Sequence, residues 1–139
     1  MAHTLLLSPD SRSTAGVLLL SIVAIEYGGT YLLRIVRGRV PMTEFQRNFA
    51  RAGHAHAGVL VILALVCQLL ADGVGVHGLA SFGAHTAIPA AAILVSAGFF
   101  LSSAGRERTG PNRLIVLLYA GMASLALGAV ALGAGLLAA

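Results

Sequence analysis

Long apolar runs alternate with short polar ones along this chain, and the apolar runs carry no continuous polar face. Thr14 to Val36, Ala52 to Gly73, Ala84 to Ala104 and Arg113 to Leu137 are nearly free of charge. A hydrocarbon layer about 30 Å thick is crossed by roughly 20 helical residues rising about 1.5 Å each, and all four runs meet that length. A buried helix of a soluble domain is typically shorter and keeps a polar stripe. The pattern predicts an all-α protein, one integral membrane domain over residues 1–139, built as an antiparallel four-helix transmembrane bundle.

The polar segments between the runs set an expected orientation. Arg34, Arg37, Arg39, Arg47 and Arg51 follow or precede the first two runs, and Arg106, Arg108 and Arg113 lie between the third and fourth. Only Arg12 falls on the other side. Arginine bias of this kind marks cytoplasmic loops, so both termini are expected outside. Within the first loop, Thr43 and Gln46 have capping-box spacing, Phe45 and Phe49 share one face, and Arg47 and Arg51 share another. This predicts a short interfacial helix over about 43–50, aromatic side to lipid, with Arg34, Arg37, Arg39, Arg47 and Arg51 at lipid headgroups.

Composition sharpens the picture. Of the 139 residues, 58% are hydrophobic and only 10% charged, against roughly 25% charged in ordinary soluble domains. The net charge of +4 does not point to nucleic acid, because the arginines flank apolar spans. Every one of the 9 basic residues is arginine, in a chain dominated by Ala, Gly, Leu and Val, which suggests a GC-rich bacterial genome and a plasma-membrane location. One cysteine, Cys67, permits no intrachain disulfide. Leu5 to Leu7 is too short for the apolar core of a signal peptide, so none is expected. Along the fourth run Ala120, Ser124 and Gly128 recur every four residues, with Ala131 and Gly135 beyond, a small-residue face suited to close helix packing.

Few residues can carry chemistry. Glu26 lies eight positions before Arg34, about 12 Å into the first span, where a carboxylate is costly and by default functional. Thr30 and Arg34 share its stripe. In Arg51-Ala52-Gly53-His54-Ala55-His56-Ala57-Gly58, the two histidines point about 200° apart and so address different neighbours. His54 shares its stripe with Gly58, Gln68 and Asp72, which favours it over His56 as a partner for Glu26. Asp72, His77 and His85 fit no strong metal template and read as surface groups of an outer loop. No phosphate-binding loop, nucleophile motif or cysteine-pair redox motif is present, so no catalytic residue is assigned and an enzyme is not favoured.

Two local resemblances accompany these residues. Glu26-Tyr27-Gly28-Gly29-Thr30-Tyr31-Leu32-Leu33-Arg34 resembles the first helix of the small multidrug resistance transporters. That family also has four spans, and the resemblance implies a proton and cation site at Glu26. It covers nine residues, and the family's tryptophan-bearing third helix has no counterpart here. Arg51 to Gly58 resembles the His-x-His helix of haem-copper oxidase main subunits, which implies haem or metal at His54 and His56. A second axial histidine at that depth is missing from the chain, because His77 and His85 lie at the other end. As a whole, the chain resembles small four-span membrane proteins of high-GC bacteria, a likeness that brings no function with it.

The residues thus point to a small proton-linked transporter or channel in a lipid bilayer. Glu26, Thr30, His54, His56 and Gln68 form its proton or substrate site, moving a small ion or solute. So small a bundle leaves little room for a path, which implies a homo-oligomer seamed by the small-residue faces. No resident cofactor is called for. A haem- or metal-binding redox protein at His54 and His56, and a non-catalytic assembly subunit, are the alternatives.

Overall fold

A computed structural model describes residues 7–139; Leu5 and Leu6, on which the signal-peptide expectation rests, lie outside them. The described chain is all-helical. It has four helices long and apolar enough to cross a membrane, α1 (Pro9–Val36), α2 (Glu44–Val74), α3 (Gly78–Ser102) and α4 (Ile115–Leu137).

Local chemistry sets the ends. α1 begins five residues before the apolar run does, because Ser8-Pro9-Asp10 is a start signal. The Ser8 side chain accepts from the Ser11 N–H, Pro9 occupies the first turn and Asp10 adds a favourable negative charge there. α2 begins at the expected capping box, with Thr43 and Gln46 each bonding the other's backbone. It ends at Gly75, whose φ of 70° suits glycine.

One expectation needs correction. The segment 43–50 is not a separate interfacial helix; it is the cap and first turns of α2, which runs unbroken for 31 residues. Nothing between Ala50 and Ala52 breaks a helix. The aromatic side does not face only lipid either, since Phe49 packs edge-on against Phe99 of α3 with ring centroids 5.4 Å apart.

α3 is irregular for a reason written in its sequence. Gly78–Phe82 and Ile88–Ser102 are α-helical, but Gly83–Ala87 between them widens to a π-turn. Pro89 follows directly. Proline has no N–H and its ring crowds the carbonyl four residues back, so the ladder opens ahead of it. The Ile88 N–H then reaches Gly83 O instead of Ala84 O. In the π pattern the next donor for Ala84 O would be residue 89, which is proline. Ala84 is left with a carbonyl that lacks its helical donor, near the start of α3.

Helix order follows the chain. α1 packs on α2, α2 on α3, and α3 on α4. The buried core is Leu60, Val61, Ala64 and Cys67 of α2, with Ala84, Ile88, Ala92 and Val95 of α3, and Leu18 and Leu132 at its flanks. α3 and α4 approach most closely: a Cβ added at Gly83 would come within 2.6 Å of the Gly128 carbonyl, and one at Gly121 within 2.7 Å of the Val95 backbone. The small residues of α4 therefore seam the protomer internally. Gly121, Ser124, Gly128 and Gly135 lie on that seam, whereas Ala120 is exposed, because the contact follows alternating steps of three and four. α1 is peripheral: 6% of its apolar window is buried, against 39% for α3.

Candidate functional site

The polar groups of the apolar bundle gather where the start of α1, the end of α2 and the π-turn meet. Gln68, 1% exposed, donates from Nε2 to the freed Ala84 carbonyl at 2.8 Å. Its Oε1 accepts from the Ser11 hydroxyl at 3.0 Å. Ser11 is fully buried and also lies 2.9 Å from His85 Nε2. His85 pairs with Asp72 at 3.2 Å, their side chains only 20% and 9% exposed. The other Asp72 oxygen accepts from the Ser8 N–H at 2.8 Å. One string thus runs from Ser8 through Asp72, His85, Ser11 and Gln68 into the backbone of α3.

The donors and acceptors around His85 can be followed one by one. The Ser11 hydroxyl has given its proton to Gln68, so it accepts from Nε2, as does the Asp72 carboxylate. On the other side, Nδ1 lies 2.8 Å from the Ser81 carbonyl and 3.3 Å from the Ser81 hydroxyl. A protonated Nδ1 donates to the carbonyl; a bare one accepts from the hydroxyl. Both protonation states of His85 therefore find a partner on the preceding turn, and the charged state also faces a carboxylate. An open cavity of about 400 Å³, lined by Ser8, Asp10, Asp72, His77, Ser81 and His85, leads from the surface to this pair.

The residues singled out in the sequence fall in different places. Gln68 belongs to this string and not to a stripe facing Glu26. Glu26, expected to face a polar group on another helix, is exposed on α1. Thr30 is exposed on the same helix, its hydroxyl donating to Tyr27 O at 2.7 Å. His54 does reach α1, where its ring lies over Gly28 and Gly29, just past Glu26. His56 points elsewhere, as the 200° geometry required, with Nδ1 2.7 Å from Ala52 O and its ring 5.0 Å from that of Phe99. Arg34, Arg37, Arg39, Arg47 and Arg51 are exposed.

Reading Asp72 and His85 as surface groups of a loop was wrong: His85 sits in the π-turn and faces inward. The missed signal was Pro89, four residues after His85 inside an apolar span. His77 is exposed, as expected. Among the described residues no three His, Cys, Asp or Glu side chains are placed to hold one metal ion. Between Gln68 and His54, about 21 Å along α2, the interior is the apolar core, so the two ends are not joined by a polar path within one protomer.

At the arginine end a second, more enclosed cavity of about 310 Å³ lies between α1, α2 and the segment after α3. Gln46 holds its floor, donating to Ser103 O at 3.0 Å and Gly105 O at 2.8 Å. Thr43 adds a hydrogen bond to Arg108 O. No family model matches the chain, and no curated protein or solved structure matches it either.

Proposed function

We propose that this chain is a proton-linked transporter or channel of a bacterial plasma membrane, working as a homo-oligomer of antiparallel four-helix protomers with both termini outside. The observation that carries the proposal is the His85–Asp72 pair, set beneath an open cavity where the ends of α1 and α2 meet the π-turn, with partners for both protonation states of the imidazole. Ionisable groups at membrane depth are costly and generally mark ion or proton pathways. π-turns also concentrate at functional sites. In this reading His85 and Asp72 take up the proton at the outer cavity, with His54 and His56 at the arginine side.

Glu26 supports the oligomer. A carboxyl facing hydrocarbon has no partner there, so a second copy covering α1 supplies one and puts the path between protomers. The small-residue seam of α4 is already occupied by α3, and α1, the least buried of the four helices, carries the exposed Glu26, so assembly is placed along α1.

The test is proton flux in proteoliposomes carrying a pH-sensitive dye. His85→Ala and Glu26→Gln are each expected to abolish flux. Among the described residues Glu26 makes no hydrogen bond or ion pair that its loss would break, so Glu26→Gln should unfold at the wild-type temperature. Full flux in both variants overturns the proposal. A second reading, a non-catalytic assembly subunit, draws on the same string, because it ties α1 to α2 and α3; it predicts no flux in wild type and destabilisation in His85→Ala.

A further inference from the structure

The arginine-end cavity has the character of a small-molecule site. Ligand pockets begin at about 300 Å³, are mostly apolar, and carry a few polar groups that fix orientation. Here Tyr31, Leu32, Ile35, Met42 and Phe100 supply apolar and aromatic wall. Four side chains in the lining carry polar atoms, Tyr31, Gln46, His54 and Ser103, and the Ser103 hydroxyl turns back onto Phe99 O and Phe100 O at 3.0 and 3.1 Å. The Gln46 amide is committed: its N–H groups go to Ser103 O and Gly105 O, and its oxygen accepts from the Thr43 N–H at 3.2 Å.

His54 differs. It is half-buried, its ring rests on Gly28 and Gly29, and among the described residues neither ring nitrogen has a hydrogen-bond partner. A Cβ on Gly28 or Gly29 would stand 3.8 or 3.4 Å from the ring, ordinary contact distance, so the imidazole lies directly against this stretch of α1. Gly28 and Gly29 of α1 and His54 of α2 thus meet at the side of an apolar cavity, with the imidazole in its lining.

We propose that this cavity binds a small aromatic amphiphile with one hydroxyl, held by apolar contact along its ring and by a hydrogen bond to His54. A neutral imidazole offers one donor and one acceptor, and a hydroxyl complements either. A charged ligand is disfavoured, because no opposite charge lines the cavity. The hydroxyl separates this occupant from a lipid acyl chain, which would fill the same space without needing the histidine. The inference shares His54 with the proton-linked reading but requires no gradient and no flux.

The experiment is equilibrium dialysis of 1-naphthol and of naphthalene against the full chain in lipid nanodiscs, with empty nanodiscs as the partition blank. Wild type is expected to bind 1-naphthol saturably above the blank. His54→Ala should weaken it about tenfold, the value of one hydrogen bond of about 1.4 kcal/mol, while His54→Gln, which can still donate and accept, keeps most of the affinity. Naphthalene binding should be the same in wild type and His54→Ala. Ala104→Phe, on the exposed rim, should close the cavity to both compounds and covers the case in which His54 variants fold poorly. Absence of saturable binding above the blank overturns the proposal, as does 1-naphthol affinity unchanged in either His54→Ala or Ala104→Phe. Flux lost with 1-naphthol binding intact would count against the transport machinery alone.

Discussion

Replacing Gln68 by leucine keeps much of its volume and removes every hydrogen bond it makes. The Ala84 carbonyl would then be buried without a partner, a loss of about 1–3 kcal/mol, and the Ser11 hydroxyl would lose its acceptor and keep only His85 Nε2. Gln68→Leu is therefore expected to lower the unfolding temperature in detergent clearly. Ser96 provides the opposite case: its hydroxyl is buried with no partner among the described residues, so Ser96→Ala should be neutral or stabilising in the same assay. The position of Gln68 was legible in the sequence as a polar residue at membrane depth, but its partner was not. A free backbone carbonyl leaves no residue type to read, and it exists only because Pro89 comes where a donor is needed. Glu26 shows the converse, since its stripe with Thr30 could be written from spacing alone. Whether that stripe faced inward depended on how much of α1 the bundle covers, and it covers little.

At the scale of elements, the four helices followed from run length and hydropathy, while their ends followed from caps that hydropathy does not register. Ser8-Pro9-Asp10 extended α1, and the lack of any breaker near Arg51 joined the aromatic segment to α2. The π-turn makes a prediction of its own. Pro89→Ala restores an N–H that can reach back to the π-turn carbonyls, so Gly83–Ala87 should tighten toward α-helix. Ala84 O would gain a backbone donor, and the Gln68 side chain would lose its acceptor. Backbone amide signals of residues 83–89 by NMR should shift together, and an unchanged pattern would show that proline does not cause the widening. The α3–α4 seam is equally exposed to test. Gly128→Leu must place a side chain where a Cβ already comes within 2.9 Å of Ile88 and 3.0 Å of Ala87. Overpacking of this kind costs about 1–3 kcal/mol or more, so this variant should lose thermal stability while Ala120→Leu, on the exposed side, should not.

For the whole molecule, the arginine distribution and the exposed face of α1 each lead to a measurement. In a Cys67→Ala background, a cysteine at Arg39 and one at His77 should label from opposite sides of sealed vesicles; equal labelling from one side would overturn the orientation. A cysteine at Val23, 69% exposed on α1, should form an intermolecular disulfide in the membrane if copies meet along that helix. One further property follows from the two glutamines of α2. They lie twenty-two positions apart, on nearly the same side of the helix, since that interval leaves a rotation of about 40°. Gln46 grips the carbonyls after the end of α3 and Gln68 grips the π-turn near its start. Pegged at both ends and joined to α4 by the glycine seam, α2, α3 and α4 behave as one frame. Among the described residues α1 has its polar attachments to that frame at Ser8 and Ser11, like a lever with its fulcrum at one end. A tilt of about 5° there displaces Ile35, roughly 36 Å along the helix, by about 3 Å. A rotation of that size would change the width of the mouth beside His54 and unseat Ile35, which is 3% exposed, while leaving the hydrogen bonds inside the frame in place.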